Sequence, residues 1–422
     1  MAGKKHYYFD YAATTPLDAK VLSAMMPYFA EKFGNPSNLY ELGREAKQAI
    51  TESTKTITDI LGCHPDEFIY TASATESDNM AILGTARAQK DKGNRIIISR
   101  VEHKGIISVC DALRKEGFDI VELPVEKDGL VRISELEKAL NDKTILVSIT
   151  YADSETGTIQ PIAEIGNIIK NFRTKTKSSL PYFHTDGSQA AAYLPITVEK
   201  LGVDLMTLSA HKLYGPKGIG GLYVRRLTKI DPILYGGGQQ NRLRSGTENV
   251  PGIVGFAQAL RISDSTRRIR TEKTKKLRDI LERGIFKSIP KVVLNGHKTK
   301  RLPNYLNVSI LDIEGEAILL HLDHLGIMVN TGSACNSQSL EPSYVLMALG
   351  NPYEYIHGSI RFTLGKHTTT GDINYVLKHL PIITKKLRAI SPLNLDMNQT
   401  ASISNLKAFI GGQTPHFLRK KK

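Results

Sequence analysis

Near its middle the chain contains the stretch Thr207-Leu208-Ser209-Ala210-His211-Lys212-Leu213-Tyr214-Gly215-Pro216-Lys217-Gly218-Ile219-Gly220-Gly221. A mostly apolar run from Val203 to Leu208 is typical of a short buried strand, and it ends in Ser, His and Lys before a loop rich in glycine and proline. Open α/β sheets bind ligands where their strands end. Lys212 is therefore a candidate ligand-binding residue, although a lysine considered alone is more often a solvated one.

The residues around Lys212 suit a phosphorylated ligand. Ser209 and His211 supply a hydroxyl and an imidazole that can contact an anion, and the glycines of the loop let the backbone approach closely. A lysine that forms a Schiff base beside a phosphorylated cofactor needs this arrangement. The segment from Ser209 to Gly218 resembles the pyridoxal-phosphate lysine segment of NifS/IscS-type (group I) cysteine desulfurases, in the class V aminotransferase superfamily. The resemblance implies a fold type I enzyme with pyridoxal 5'-phosphate as cofactor, L-cysteine as substrate and Lys212 as the catalytic lysine.

Length and composition agree with a two-domain globular protein. The chain has 422 residues, 41% of them hydrophobic, and none of its stretches approaches the roughly 20 apolar residues of a membrane span. Its first residues contain no apolar signal-peptide region, so we expect a cytoplasmic protein without a membrane partner. The three cysteines, Cys63, Cys110 and Cys335, form no C-x-x-C pair. This spacing argues against a disulfide framework and a zinc site, and we expect no metal.

The formal net charge of +14 comes mainly from three basic runs: Arg267–Arg278, Lys298–Arg301 and Arg419–Lys422. Such runs are typical of a solvated helix face and a tail. No helix-turn-helix, zinc finger or mixed aromatic and basic motif accompanies them, so we expect no specific nucleic-acid binding. An acidic protein partner explains the charge equally well.

Short apolar runs alternate with helical patterns from Glu67 to Val224, which predicts a mostly parallel sheet covered on both faces. A second alternation begins at Leu306, and a closing helix is predicted from about Gly371 to Ile390. The expected fold is therefore α/β, with a large domain built on a mostly parallel sheet and a smaller C-terminal α/β domain. We place the large cofactor-binding domain at residues 16–263, the small domain at 1–15 and 264–390, and a basic tail at 391–422.

Candidate cofactor ligands follow several predicted strands. The small residues of Thr71–Ser77 open a helix, where the backbone N–H of Ala74 and the hydroxyl of Thr75 can hold a phosphate, although an ordinary N-cap would look the same. Asp186 follows another strand. Its carboxylate can pair with a protonated pyridine nitrogen or, as an alternative, cap a helix.

The resemblance assigns two further ring contacts and a contact between subunits. Gln189 would hydrogen-bond the phenolic oxygen of the cofactor, and His103 would lie on its ring and act as an acid–base helper, whereas alone His103 would be a surface histidine. The loop Gly236–Asn249 resembles one that crosses a dimer interface and offers a threonine, here Thr247, to the phosphate of the neighbouring subunit. The resemblance therefore implies a homodimer, and the alternative is a flexible surface loop.

Two residues of the small domain complete the predicted site. Cys335 lies among Gly, Ser and Asn, and its segment resembles the loop that carries the sulfur-accepting cysteine of group I desulfurases. Arg361 lies inside an apolar strand and needs an anionic partner, either a structural carboxylate or the α-carboxylate of the substrate. The resemblance favours the substrate.

Ser154 stands where the family usually has an asparagine that contacts cofactor and substrate, so this substrate-binding position departs from the pattern.

The sequence thus predicts a cysteine desulfurase that releases L-alanine and passes sulfur from a Cys335 persulfide to an acceptor protein. The acceptor would be an iron–sulfur scaffold or a tRNA-thiolation relay, and the sequence does not choose between them. A selenocysteine lyase or another class V enzyme is the first alternative. A sulfur-relay scaffold with weak catalysis is the second.

Overall fold

The computed structural model describes residues 5–331 and 342–392. Within those ranges the strands are β1 (Tyr7–Tyr8), β2 (Phe68–Thr71), β3 (Arg95–Ser99), β4 (Asp119–Leu123), β5 (Thr144–Ser148), β6 (Tyr182–Asp186), β7 (Leu205–Ser209), β8 (Gly220–Val224), β9 (Val292–Asn295), β10 (Tyr305–Ile310), β11 (Ile327–Met328) and β12 (Ser359–Thr363). The helices are α1 (Ala19–Met25), α2 (Pro27–Ala30), α3 (Glu41–Leu61), α4 (Ala74–Ala88), α5 (Lys104–Lys115), α6 (Ile133–Ala139), α7 (Ile162–Thr176), α8 (Val198–Leu201), α9 (Val250–Ser288), α10 (Gly315–His324), α11 (Tyr344–Ala348), α12 (Tyr353–His357) and α13 (Thr370–Ile390).

The central sheet has seven strands in the order β2-β8-β7-β6-β5-β3-β4. Strands β3 to β7 pair in parallel, and β8 runs antiparallel to both of its neighbours, β2 and β7. Helices cover both faces of the sheet, because Ile96 and Ile98 of β3 belong to one buried apolar cluster and Ile97, between them, belongs to another. The expectation of an α/β fold with a mostly parallel sheet is confirmed.

A smaller α/β unit follows in the chain. Strands β9, β10 and β12 form an antiparallel sheet that shares an apolar core with α9, α10 and α13, and Phe9 from the N-terminal segment is buried in that core. Strand β1 pairs with β11 of the same unit. The boundary at residues 263 and 264 stays a prediction, because α9 runs unbroken across it from Val250 to Ser288.

The basic runs differ from the predicted solvated face. Arg270, Arg278 and Arg301 are each more than nine-tenths buried. Arg278 pairs with Asp279 at 2.7 Å, and Arg301 pairs with Glu282. A run of like charges does not show which of its residues are buried, because the carboxylate that neutralises a buried arginine can lie outside the run. None of the helices in the described residues is long and apolar enough to cross a membrane.

Candidate active site

The candidate site lies at the carboxyl edge of the central sheet, where β3, β6 and β7 end. Strand β6 ends at Asp186, and β7 leads into a single 3-10 turn, Ala210–Lys212, that carries the candidate lysine. His103 follows β3. Reduced hydration lowers the pKa of His103 below its ordinary value, and Lys212 lowers it further while Asp186 opposes the shift. The three predicted residues therefore lie within electrostatic range of one another.

Lys212 reaches across to the N-terminal segment. Its ammonium group donates to the carbonyl oxygen of Ala12 and, at 2.8 Å, to that of Ala13. Gln189 donates to the same Ala12 carbonyl at 3.1 Å. The N-terminal segment is therefore a wall of the site, a role that the alanines themselves do not signal in the sequence.

Tyr305 of β10 holds Gln189 from the other side. Its hydroxyl donates to Oε1 of Gln189 at 2.8 Å, and the tyrosine is almost completely buried. Since Gln189 donates with its nitrogen and accepts with its oxygen, the orientation of its amide is fixed. Sequence reasoning missed Tyr305, because a tyrosine in an apolar strand is typical of an ordinary core residue.

His103 is the N-cap of α5. Its Nδ1 accepts a hydrogen bond from the backbone N–H of Gly105 at 3.1 Å. A ring nitrogen that accepts carries no proton, so the neutral ring has its proton on Nε2. The capping bond therefore fixes the ring by one nitrogen and leaves Nε2–H as a donor.

Asp186 is buried, and its Oδ1 accepts from the backbone N–H of Ser188 at 2.9 Å. This bond closes a local turn, since turns follow β6 and the next helix, α8, begins only at Val198. Asp186 therefore closes a turn and does not cap a helix. The adjacent Ser188 hydroxyl is buried with no hydrogen-bond partner in the described residues.

The start of α4 and the end of β7 form a small polar cradle. Ser73 caps α4 by accepting from the N–H of Glu76 at 3.1 Å, and Ala74 and Thr75 then supply the first backbone N–H groups of the helix. Gly220, the first residue of β8, lies so close to Ser73 that a Cβ added to the glycine would be 2.7 Å from the Ser73 backbone. Its ladder partner, Ser209, has a buried hydroxyl with no hydrogen-bond partner in the described part of the chain. Orphaned donors at a helix N-terminus fit a phosphate group.

Together these features fit pyridoxal phosphate. The cradle suits its phosphate, Asp186 supplies a buried carboxylate for the ring nitrogen, and Lys212 supplies a primary amine at the neighbouring strand end.

His211 lies next to Lys212, and its Nδ1 is 3.1 Å from the hydroxyl of Thr14. Burial, Lys212 and Lys217 lower the pKa of His211 to about 4, so its imidazole is neutral near pH 7.

Arg361 is buried and lies between two oxygen acceptors. One terminal nitrogen donates to Asp10 at 2.7 Å, and the other donates to the backbone carbonyl of Ser154 at 2.7 Å. Its Nε is buried without a hydrogen-bond partner among the described residues. The ion pair that the sequence left open as an alternative is therefore present, and Asp10 was not found by sequence reasoning.

Cys335 lies outside the described residues, but both ends of its segment are anchored near the site. Before it, the Asn330 side chain donates to Asp10 at 3.0 Å. After it, the Ser343 hydroxyl donates to Glu155, and the Tyr344 hydroxyl donates to the carbonyl of Glu102 at 2.8 Å. Glu155 is buried, and this burial raises its pKa to about 7.

Thr247 lies in the loop that precedes α9, and it is exposed to solvent. No cluster of three or more His, Cys, Asp or Glu side chains in the described residues is placed to hold a metal ion.

The sequence is similar to those of known proteins along most of its length. The family model described as aminotransferase class-V matches residues 7–376. The cysteine desulfurase IscS of Dictyoglomus turgidum is 49% identical, over 92% of this chain and 97% of the relative. That of Methanosarcina thermophila is also 49% identical, over 92% of this chain and 94% of the relative. The chain is a class V cysteine desulfurase.

Solved structures support the same assignment for this desulfurase. A NifS-like protein superposes with a TM-score of 0.85 at 35% identity and covers 91% of this chain and 100% of its own. A structure described as SspA in complex with cysteine gives a TM-score of 0.74 at 33% identity, with 86% of this chain and 99% of its own covered. These relatives favour the desulfurase over the selenocysteine lyase and the relay scaffold that the sequence left open.

Proposed function

We propose that this desulfurase converts L-cysteine to L-alanine with pyridoxal phosphate as cofactor and Cys335 as the first sulfur acceptor. The observation that carries the proposal is the anchoring of both ends of the Cys335 segment beside the edge where Lys212, His103 and Asp186 meet. Cys335 is five positions after Asn330 in the chain. Five residues span at most about 18 Å, so the chain length alone allows the Cys335 thiol to reach the site.

The residues of the sheet edge would hold the cofactor. Ala74, Thr75 and Ser209 would donate to its phosphate, as the orphaned donors of the cradle suggest. Asp186, Gln189 and His103 would contact the ring through its nitrogen, its phenolic oxygen and its face, and His211 would support the phosphate side. When bound, pyridoxal phosphate supplies an electron sink that makes the carbon–sulfur bond of the substrate labile.

Lys212 and His103 would move protons. Lys212 would take the α-proton of the substrate at Nζ once that nitrogen is neutral, and the two backbone carbonyls it contacts keep it oriented. His103 has its lowered pKa and a fixed tautomer, so near neutral pH it is an uncharged donor at Nε2. It would serve as the acid–base helper.

Arg361 would bind the α-carboxylate of L-cysteine. Its Nε has no hydrogen-bond partner among the described residues, and Asp10 keeps the planar guanidinium oriented for a second carboxylate. Ser154 contacts Arg361 through its backbone carbonyl, which every residue possesses. The replacement of the usual asparagine therefore leaves the backbone contact with Arg361 intact, but serine lacks the amide that would contact the cofactor and the substrate.

Sulfur would pass from the substrate to Cys335 as a persulfide and then to a protein acceptor. An acceptor with an acidic surface suits the net charge of +14. A homodimer would let the exposed Thr247 reach the phosphate of the second subunit, and we place the enzyme in the cytoplasm. The relative whose structure is described as a complex with cysteine supports L-cysteine as the substrate.

Incubation of the purified, cofactor-loaded protein with L-cysteine tests the proposal. Alanine should form, and mass spectrometry should find a mass increase of one sulfur atom on the peptide that contains Cys335. A persulfide on Cys63 or Cys110 instead would show that another thiol is the acceptor. Sedimentation should find a dimer, and a fully active monomer would remove the proposed role of Thr247.

A further inference from the structure

A cavity of about 320 Å³ lies next to the turn that carries Lys212. Exposed side chains of α9 border it, including Ile269, whose side chain is 71% exposed although it is apolar. Apolar side chains form most of the inner wall: Val21, Leu213, Ala259 and Ile262. A concave apolar surface with a few polar groups is the usual form of a small-molecule site.

Arg270 lines this cavity and has no anionic partner within residues 5–331 and 342–392. It is 6% exposed, and its terminal nitrogens donate to the hydroxyl of Ser263, at 3.2 Å, and to the carbonyl of the same residue. Its Nε is buried without a partner, and no carboxylate of the described residues forms an ion pair with it. Its guanidinium lies 5.6 Å from the centre of the Tyr193 ring. A buried charge without an opposite charge is costly, so the site is built for an anion.

Two lysines also line the cavity, and one of them, Lys273, adds to its net positive charge. Lys273 donates to the carbonyl of Lys366 at 2.7 Å, and the Lys366 ammonium lies 4.5 Å from the centre of the Tyr214 ring. The carboxylate in the lining belongs to Asp18, which is paired with Lys366. The charges of Arg270 and Lys273 are therefore left for an incoming anion to neutralise.

We propose that this cavity binds a small amphiphilic carboxylate, with the carboxylate on Arg270 and Lys273 and the apolar body against Val21, Ala259 and Ile262. The planar fork of an arginine matches a carboxylate, and the apolar wall favours a hydrocarbon body over a second polar group. Leu213 and Tyr214, which line the cavity, follow Lys212 directly in the chain. The ligand would therefore contact the loop of the catalytic lysine without entering the cysteine site.

Calorimetric titration of the cofactor-loaded enzyme with octanoate tests the proposal, with 1-octanol as the uncharged probe. We expect octanoate to bind with a Kd on the order of 1 mM or tighter and 1-octanol to bind at least about tenfold more weakly. Arg270→Gln should weaken octanoate binding at least about tenfold. The matched control is Arg268→Gln on the same helix, whose side chain is 91% exposed, and it should bind octanoate as the wild type does.

A second variant keeps the test valid if Arg270→Gln fails to fold. Thr266 is exposed and lines the cavity, so Thr266→Trp should fill the opening and abolish octanoate binding with an unchanged thermal unfolding midpoint. The proposal is overturned if octanoate fails to bind the wild type at millimolar concentration. It is also overturned if Arg268→Gln weakens binding as much as Arg270→Gln, or if a folded Thr266→Trp protein binds octanoate undiminished.

Discussion

Arg361 and Asp10 form an ion pair of 2.7 Å, although 351 positions separate them in the chain. The pair joins β12 of the smaller unit to the N-terminal segment that also receives Lys212. It fixes the guanidinium at the site and leaves one buried nitrogen, Nε, without a partner in the described residues. The substrate carboxylate would therefore meet an arginine that is already oriented.

Arg361→Lys should raise the KM for L-cysteine at least about tenfold, because a lysine keeps the charge but loses the fork that bridges Asp10 and the Ser154 carbonyl. Steady-state alanine production measures the change. Arg388→Lys is the control, since Arg388 donates to carbonyl groups of the smaller unit, Leu311 and Pro290, and its KM should be unchanged. An unchanged KM in Arg361→Lys would remove this arginine from the substrate site.

Lys212→Ala should remove the visible absorbance band that the cofactor-loaded protein owes to its lysine linkage. Borohydride reduction followed by peptide mapping checks which lysine carries the cofactor. Lys217→Ala is the nearby control and should keep the band. A lysine adduct that persists in Lys212→Ala would show that another lysine holds the cofactor.

Glu155→Gln should change how stability depends on pH. Burial raises the pKa of Glu155 to about 7 from an ordinary value of 4.5, so the folded state binds the proton more tightly than the unfolded state does. The resulting stability is present below pH 4.5 and is lost as the pH rises to about 7. The free energy of unfolding of Glu155→Gln should therefore rise relative to the wild type between pH 4.5 and 7, then level off.

Urea unfolding of the cofactor-free protein at several pH values measures this difference. Glu52→Gln, on the exposed face of α3, is the control and should follow the wild type across the range. A constant difference between Glu155→Gln and the wild type from pH 4.5 to 7 would mean that Glu155 stays ionised in the fold. Its bond with Ser343 would then hold the Cys335 segment as a charged contact.

Tyr305→Phe should lower the free energy of unfolding by roughly 1 kcal/mol, because it removes the donor to Gln189 and leaves an acceptor unmet. Cofactor affinity should also fall, since Gln189 loses one of the two bonds that orient its amide. Fluorescence titration of the cofactor-free protein measures this affinity. Tyr235→Phe, at an exposed tyrosine, should change neither quantity, and equal effects in the two variants would contradict the role of Tyr305.

Local patterns predicted the sheet and the side chains that meet at its edge. The apolar run Arg95–Ser99 predicts a strand, because isoleucines bounded by polar residues are typical of a buried parallel strand, and β3 has these same ends. Asp186, His103 and Lys212 follow strands of one sheet, so their meeting at its edge follows from topology. The sequence predicts a helix from Val254 to Arg283, and α9 extends past both ends, because its Asn249 cap lies in a glycine-rich loop and its last turns are basic.

Contacts between distant segments could not be predicted. Asp10 and Tyr305 join the site through Arg361 and Gln189, and neither has a neighbouring motif in the chain that would mark it. The buried Arg270 looks like its exposed neighbours in the sequence, because helical position alone did not reveal which side of this basic helix packs against Tyr193. Residues whose roles depend on packing therefore needed the structure.

Cys335→Ser tests the proposed persulfide mechanism most directly, because this substitution separates cofactor chemistry from sulfur transfer. A serine hydroxyl is far less ionised than a thiol of pKa about 8.5 and cannot accept the sulfur. The variant should keep the cofactor and still change its visible absorbance when L-cysteine is added, yet form no alanine. Cys63→Ser and Cys110→Ala are the controls and should form alanine at near wild-type rates. Alanine formation by Cys335→Ser at the wild-type rate would contradict the persulfide mechanism.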